Sequence, residues 1–254
     1  MAGPTVIKIG GSTLGSADTT YRDVAAMAAR GDVPIVVHGG GAEASRWLEA
    51  MSIPSRFERG LRVTDEKVLP VVVAVFAGLV NKRIVAAING GGALAVGVCG
   101  ADGRVLECRL ASPDLGFVGE PVAVNAKALL ALHSAGIIPV VSSIGYVPGD
   151  PDQLVNVNAD TIAGEIAAAV GAERLLFLTD VEGVRDEQGA TLSRLDASRA
   201  RQLIAADVIS GGMIPKIEAC LHALSLGVPV RIVDGRKPDA IELALAGAGT
   251  LITP

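Results

Sequence analysis

Lys8 and Lys216 lie near opposite ends of a 254-residue chain, each close to a glycine pair: Gly10-Gly11 follows the first, Gly211-Gly212 precedes the second. Lysine carries a mobile positive charge, and glycine backbone can approach a ligand closely. The combination suits phosphate groups. Two such places, distant in sequence, point to one phosphoryl-transfer centre held from two sides. Lys216 falls in the first turn of a helix predicted over residues 215–226, where a cation opposes the macrodipole at a cost of about 0.3–1 kcal/mol. An exposed lysine that points away accounts for this, as does a lysine sharing an anion with the helix end; the neighbouring glycines favour the second. Lys8 is inside an apolar strand, with Ile7 and Ile9 turned to the other face. A buried lysine there needs a carboxylate or phosphate partner. Asp160 set between the two lysines would hold both and keep them charged. Asn158 as N-cap and Asp160 as a first-turn acid are also accounted for by the start of a helix, which leaves Asn156 unexplained.

These residues need a scaffold that brings them together. Apolar, β-branched runs at 6–9, 33–38, 93–98, 137–141, 174–179 and 228–233 read as strands. Helical patterns cover 21–29, 43–51, 66–88, 126–134, 160–170, 197–205 and 215–226. The alternation predicts an α/β fold with a central, mainly parallel open sheet between two helical layers. Asp196 reads as an N-cap, Gly136 and Gly227 as C′ residues, and Pro215 as a first-turn proline. Pro70 predicts a late start or a kink in the helix at 66–88. The stretch 146–154, with Pro148, Gly149 and Pro151, is the expected lobe junction, dividing 1–150 from 151–254.

In open α/β sheets ligands bind beyond the carboxyl ends of the strands. There the sequence places Gly10-Gly11, then His38-Gly39-Gly40-Gly41, then Thr179-Asp180. The glycine run at 39–41 leads into a helix whose N-terminus favours an anion. Neither GxGxxG nor GxxxxGK[ST] is present, so this is neither a dinucleotide fingerprint nor a P-loop.

Half of the residues are hydrophobic and only 3 % aromatic, so the core is aliphatic. A formal net charge of −5 without a basic stripe weighs against nucleic acid and anionic membrane surfaces. The longest apolar run, 69–80, is shorter than a membrane span of about 20 residues, and no signal peptide is expected. Cys99, Cys108 and Cys220 lack metal spacing and read as buried thiols of a reducing cytosol. His38, His133 and His222 show no catalytic pairing.

Seven runs, in order along nearly the whole chain, resemble the amino-acid kinase family. They are Lys8-Ile9-Gly10-Gly11, His38-Gly39-Gly40-Gly41, Gly60 to Asp65, Val80-Asn81-Lys82, Asn156 to Thr161, Leu178 to Val184, and Gly211 to Lys216. Within the family they are most similar to the branch that acts on N-acetylglutamate. The resemblance implies two intimate lobes and ATP-dependent phosphorylation of the γ-carboxylate of N-acetyl-L-glutamate in arginine biosynthesis. It implies that Lys8 and Lys216 stabilise the moving phosphoryl group, that Asp160 orients them, and that Gly10 and Gly11 donate backbone N–H groups to the γ-phosphate. Gly40, Gly41, Arg62 and Asn156 would hold the acyl amino acid, Arg62 gripping its α-carboxylate. Asp180, Val181, Gly183, Ser210, Gly211 and Gly212 would line the ATP pocket, with Mg²⁺ carried on the nucleotide. Family members inhibited by arginine carry an extra N-terminal helix. Because the first strand begins almost at Met1, a cytoplasmic, arginine-insensitive homodimer joined through the 66–88 helix is expected. The alternatives are a kinase for carrier-linked aminoadipate in lysine biosynthesis, and a non-catalytic amino-acid-binding regulator on the same fold.

Overall fold

A computed structural model of the chain describes residues 3–10, 19–150, 153–211 and 213–254. Its first half runs β1 (Thr5–Ile9), α1 (Thr20–Ala29), β2 (Ile35–His38), α2 (Gly41–Ala50) and the short pair β3 (Phe57–Glu58) and β4 (Leu61–Arg62). A long helix follows, made of α3 (Val68–Val73), a π-helical segment (Ala74–Val80) and α4 (Asn81–Gly90). Then come β5 (Ala95–Cys99), β6 (Leu106–Leu110), β7 (Val118–Val124), α5 (Lys127–Ser134), β8 (Ile138–Ser142) and β9 (Ile144–Tyr146). The remainder is β10 (Leu154–Val157), α6 (Ala159–Ala169), β11 (Arg174–Thr179), β12 (Arg194–Asp196), α7 (Ala197–Ala205), α8 (Met213–Ser225), β13 (Val230–Asp234), α9 (Ala240–Leu245) and β14 (Thr250–Thr253).

Eight strands form one sheet in the order β12-β14-β13-β11-β1-β2-β8-β5, parallel except where β14 runs against β13. Alternation along each strand separates two cores. Val6, Val37, Val141 and Phe177 pack with Ile162 and Ile166 of α6 and Ile217 of α8. Ile7, Ile9, Val36 and Leu178 pack with Val24 and Met27 of α1 and Ile84 and Ile88 of α4. This is the expected three-layer arrangement. β11, β1 and β2 are adjacent and parallel, so Gly10, Gly39 and Asp180 leave the sheet on one edge.

The alternating reading passed over a second, closed sheet of β10, β7, β6 and β9. The stretch at 146–154 connects β9 to β10, which pair antiparallel within that small sheet. The long helix starts at Val68, two residues later than its periodicity alone indicated. Asp65 Oδ1 accepts from the N–H groups of Lys67 and Val68, both at 2.9 Å. Pro70 is thereby third in the helix, where no intrahelical N–H bond is lost. The 23-residue helix Val68–Gly90 is long and apolar enough to cross a membrane by composition, its most apolar 18-residue stretch having a mean hydropathy of 2.0 with 39 % of that stretch buried inside the chain.

Candidate active site

β1 turns Lys8 toward the α6 side of the sheet, in register with Phe177 and Val37. α6 begins directly opposite. Asn158 caps it, accepting from the N–H groups of Asp160 at 2.8 Å and Thr161 at 3.2 Å. The cap fixes Asp160 in the first turn with its carboxylate over Lys8. Lys8 Nζ lies 2.5 Å from Asp160 Oδ1, and Lys216 Nζ reaches Oδ2 at 3.2 Å. Lys216 also stands 5.7 Å from the centre of the Phe177 ring. The two ends of the chain therefore meet on one carboxylate.

Burial raises the cost of a charge on Asp160, but the pull of Lys8 and Lys216, with their hydrogen bonds, outweighs it and holds the carboxyl below the usual carboxylate range. Burial depresses the Lys8 ammonium; Asp160 offsets part of this, and the charge of Lys216 adds to the fall. Two cations share one anion, so the group keeps an excess of positive charge beside the cleft.

The cleft holds about 190 Å³, and its lining includes Lys8, Gly39, Gly40, Gly41, Arg62, Asn156 and Asp160, with Phe57, Phe76, Val118 and Ser143 among the other wall residues. Arg62 is 5 % exposed. Its Nη2 donates to Gly41 O and Ser45 Oγ, both at 2.8 Å, its Nη1 donates to Ser55 Oγ, and the guanidinium stacks 4.6 Å from the Phe57 ring centre. Among the described residues no carboxylate pairs with it, and burial lowers its pKa. A buried, unneutralised guanidinium is a receptor for a carboxylate. Asn156 lines the cleft, and its Nδ2 donates to Thr64 Oγ1 at 3.0 Å. Phe76 is the residue sequence reasoning missed. Its signal was Gly40, where a Cβ would lie 2.5 Å from the Phe76 ring.

The expected nucleotide residues Asp180, Val181, Gly183, Ser210 and Gly211 sit outside this cleft, at the ends of β11 and before α8. Thr179 Oγ1 ties down the turn, donating to Val181 O and accepting from Val181 N. Gly183 fits against Thr250, where a Cβ would be 2.4 Å from Thr250 Oγ1. Gly211 adopts φ +55°, and Ser210 O receives the Met213 N–H at 3.2 Å as α8 begins. Gly11 and Gly212 lie outside the described residues. The N–H of Gly10 is donated to Leu178 O at 3.2 Å, which ties the end of β1 to β11. Among the described residues no group of three or more His, Cys, Asp or Glu side chains is placed to hold a metal ion. A Mg²⁺ that rides on nucleotide phosphates and keeps its waters needs few protein ligands.

Residues 3–234 match the model of the amino acid kinase family. The acetylglutamate kinase of Cereibacter sphaeroides is 48 % identical over 97 % of this chain and 86 % of its own. That of Acaryochloris marina is 45 % identical over 99 % of this chain and 92 % of its own. Among solved structures, that of smu.665 from Streptococcus mutans UA159 superposes with a TM-score of 0.85 at 29 % identity, covering 98 % of both chains.

Proposed function

The chain belongs to the amino acid kinase family, and from that premise we infer that it phosphorylates the γ-carboxylate of N-acetyl-L-glutamate with ATP, a step of arginine biosynthesis. The observation that carries the reading is Asp160 joined to both Lys8 and Lys216 beside the unpaired Arg62. Arg62 receives the α-carboxylate. The γ-carboxylate then extends toward Lys8 between Gly40 and Gly41, with Asn156 accepting from the acyl N–H.

At neutral pH the nucleophile is already ionised, so no general base is needed. A carboxylate oxygen forms a bond to the γ-phosphorus as the bond to the β-phosphate oxygen breaks, giving an acyl phosphate and ADP. The obstacles are repulsion between two anions and their in-line alignment. Lys8 faces the acceptor side and Lys216 the nucleotide side, and Asp160 keeps both ammonium groups in place. Mg²⁺ bound to ATP supplies further charge neutralisation when present. Asp180, Val181, Gly183, Ser210 and Gly211 line the nucleotide side, with Gly10, Gly11 and Gly212 bordering the phosphates. In this division residues 1–150 bind the acyl amino acid and 151–254 bind ATP.

Two copies pair across the exposed side of Val68–Gly90, an apolar helix whose most apolar 18-residue stretch is only 39 % buried within the chain. Light scattering should give twice the 25.7 kDa of one chain; a monomer at micromolar concentration would remove the dimer. Free thiols at Cys99, Cys108 and Cys220 suit the cytoplasm. The deciding assay traps the acyl phosphate as hydroxamate from ATP with N-acetylglutamate, glutamate or an N-blocked aminoadipate. N-acetylglutamate should be the preferred acceptor. Preference for aminoadipate would move the substrate by one methylene, a difference worth about 1–3 kcal/mol, and no product from any of the three would leave the regulator reading.

A further inference from the structure

His38 and the run Val80-Asn81-Lys82 have no place in the mechanism above, yet they are joined to it by a chain of hydrogen bonds that runs from the surface at Lys82 through the buried side chains of Asn81 and His38. Lys82 Nζ approaches Asn81 Oδ1 at 2.9 Å and Gly97 O at 3.2 Å. Asn81 Nδ2 lies 2.9 Å from Val140 O and 3.0 Å from His38 Nε2. His38 Nδ1 lies 2.7 Å from Gly39 O. The direction of every bond follows from the two ends. An ammonium group only donates, so Asn81 Oδ1 is the acceptor and its amide nitrogen the donor, as Val140 O also requires. His38 Nε2 is then an acceptor, and the proton of the neutral ring is on Nδ1, donated to Gly39 O. Burial, with Lys8 and Lys82 nearby, lowers His38 to about 4, so the ring is neutral at working pH. Gly97 is matched to this chain: a Cβ there would lie 1.8 Å from Asn81 Oδ1.

A trans peptide carries its C=O and N–H on opposite edges, and the chain has no cis peptide bond among the described residues. His38 projects to the α1 and α4 side of the sheet, opposite Lys8, in register with Ile9 and Ser142. The run 39–40 is a wall between two cavities, the cleft with Lys8 and Asp160 on one side and a pocket with His38, Tyr21 and Arg83 on the other. A Gly39 carbonyl held on the His38 side therefore turns the Gly40 N–H into the cleft. Phe76 closes the remaining freedom by pressing on Gly40 from the π-helical segment, a distortion that also starts α4 at Asn81.

We propose that His38 is a positioning residue, which through Asn81 and Lys82 fixes the Gly39–Gly40 peptide so that the Gly40 N–H is aimed at the acceptor carboxylate. The proposal rests on the reading of the cleft as the site of carboxylate phosphorylation. Two isosteres separate the ring nitrogens: an asparagine amide nitrogen takes the place of Nδ1, and a glutamine amide that of Nε2. In the hydroxamate assay His38→Gln should lower kcat about 10–100-fold, less than the 10²–10³ of deleting an oxyanion donor outright, with the KM for ATP within about twofold. His38→Asn should restore most of the loss. Wild-type kcat in His38→Gln overturns the proposal, and so does an equal loss in His38→Asn, which would mark His38 as packing only. Should His38→Gln lack a native unfolding transition, wild-type protein labelled with ¹⁵N-glycine decides. N-acetylglutamate should move the Gly40 amide proton resonance, assigned by its loss in Gly40→Ala, downfield; an unmoved resonance overturns the proposal. A wild-type protein that makes no acyl phosphate refutes the cleft reading instead.

Discussion

Asp160→Asn keeps the side-chain shape and removes the charge that holds Lys8 and Lys216 together. With separations of 2.5 and 3.2 Å and an effective dielectric near 20, each contact is worth about 5–7 kcal/mol before desolvation is subtracted. All three groups are buried or nearly so, and most of that gain is offset; breaking such a group costs about 3–5 kcal/mol net. At about 2–4 °C per kcal/mol for a chain of this size, the thermal midpoint should fall by about 6–20 °C. The catalytic effect has a separate origin. Lys8, already depressed by burial, loses its carboxylate partner while the repulsion from Lys216 remains, so it gives up its proton more easily. Loss or misplacement of one preorganised cation should reduce kcat about 10²–10³-fold, and the residual activity should fall further as pH rises, because deprotonation removes the charge. Scanning calorimetry and ADP release measured from pH 6 to 9 test both effects. A variant with wild-type midpoint and kcat within threefold would refute the argument that Asp160 couples the lysines.

Lys8→Ala and Lys216→Ala should each lower kcat about 10²–10³-fold while circular dichroism stays native, because removing one cation still leaves Asp160 paired; wild-type turnover in either would remove that lysine from the mechanism. Arg62→Lys loses the fork that spans Gly41 O, Ser45 Oγ and a carboxylate, and should raise the KM for N-acetylglutamate at least tenfold with the KM for ATP unchanged. Gly40→Ala drives a methyl into the Phe76 ring and should cost about 1–3 kcal/mol by overpacking, part of which Phe76→Leu in the same chain returns in urea unfolding. His38 is depressed by burial from 6.5 to about 4. The stability from keeping it neutral is therefore full above pH 6.5 and is lost as pH falls through about 4, and His38→Asn should flatten that part of the unfolding free-energy profile.

The candidate site residues were more legible than the architecture around them. Lys8 and Lys216 announced themselves by being out of place, one in an apolar strand and one at a helix start, and Asp160 by standing in a first turn next to an unexplained Asn156. Such misfits are what a functional site is expected to leave in a sequence. The small sheet left no comparable mark. β7 carries Pro121, the β6–β7 register shifts between Glu107 and Cys108, and β9 has three residues. None shows the clean alternation that a long half-buried strand would. The π-helical segment was invisible because Ala74–Val80 is uniformly apolar, and no composition distinguishes a widened turn from an ordinary one. Phe76 and the Asn81–His38 bond were hidden because each joins residues far apart in sequence, and tertiary packing alone brings them together.

The placement of Lys216 shows how the scaffold and the chemistry depend on each other. At the start of α8 its charge is opposed by the helix dipole. α6 begins at the same place, and its dipole favours the acid Asp160 in its own first turn. Packing the two helices side by side sets the favourable anion of one 3.2 Å from the unfavourable cation of the other. The close approach is possible because α6 carries Gly164 opposite Ala223 of α8, where even a methyl group would come within 3.2 Å. Lys8 reaches the same carboxylate from the sheet beneath, so three elements must be in register before any of the charges is offset. The excess positive charge that remains is then a property of the folded arrangement. In the proposed mechanism it is held where two anions have to be brought together, and it needs no movement of the protein's own charges when they arrive.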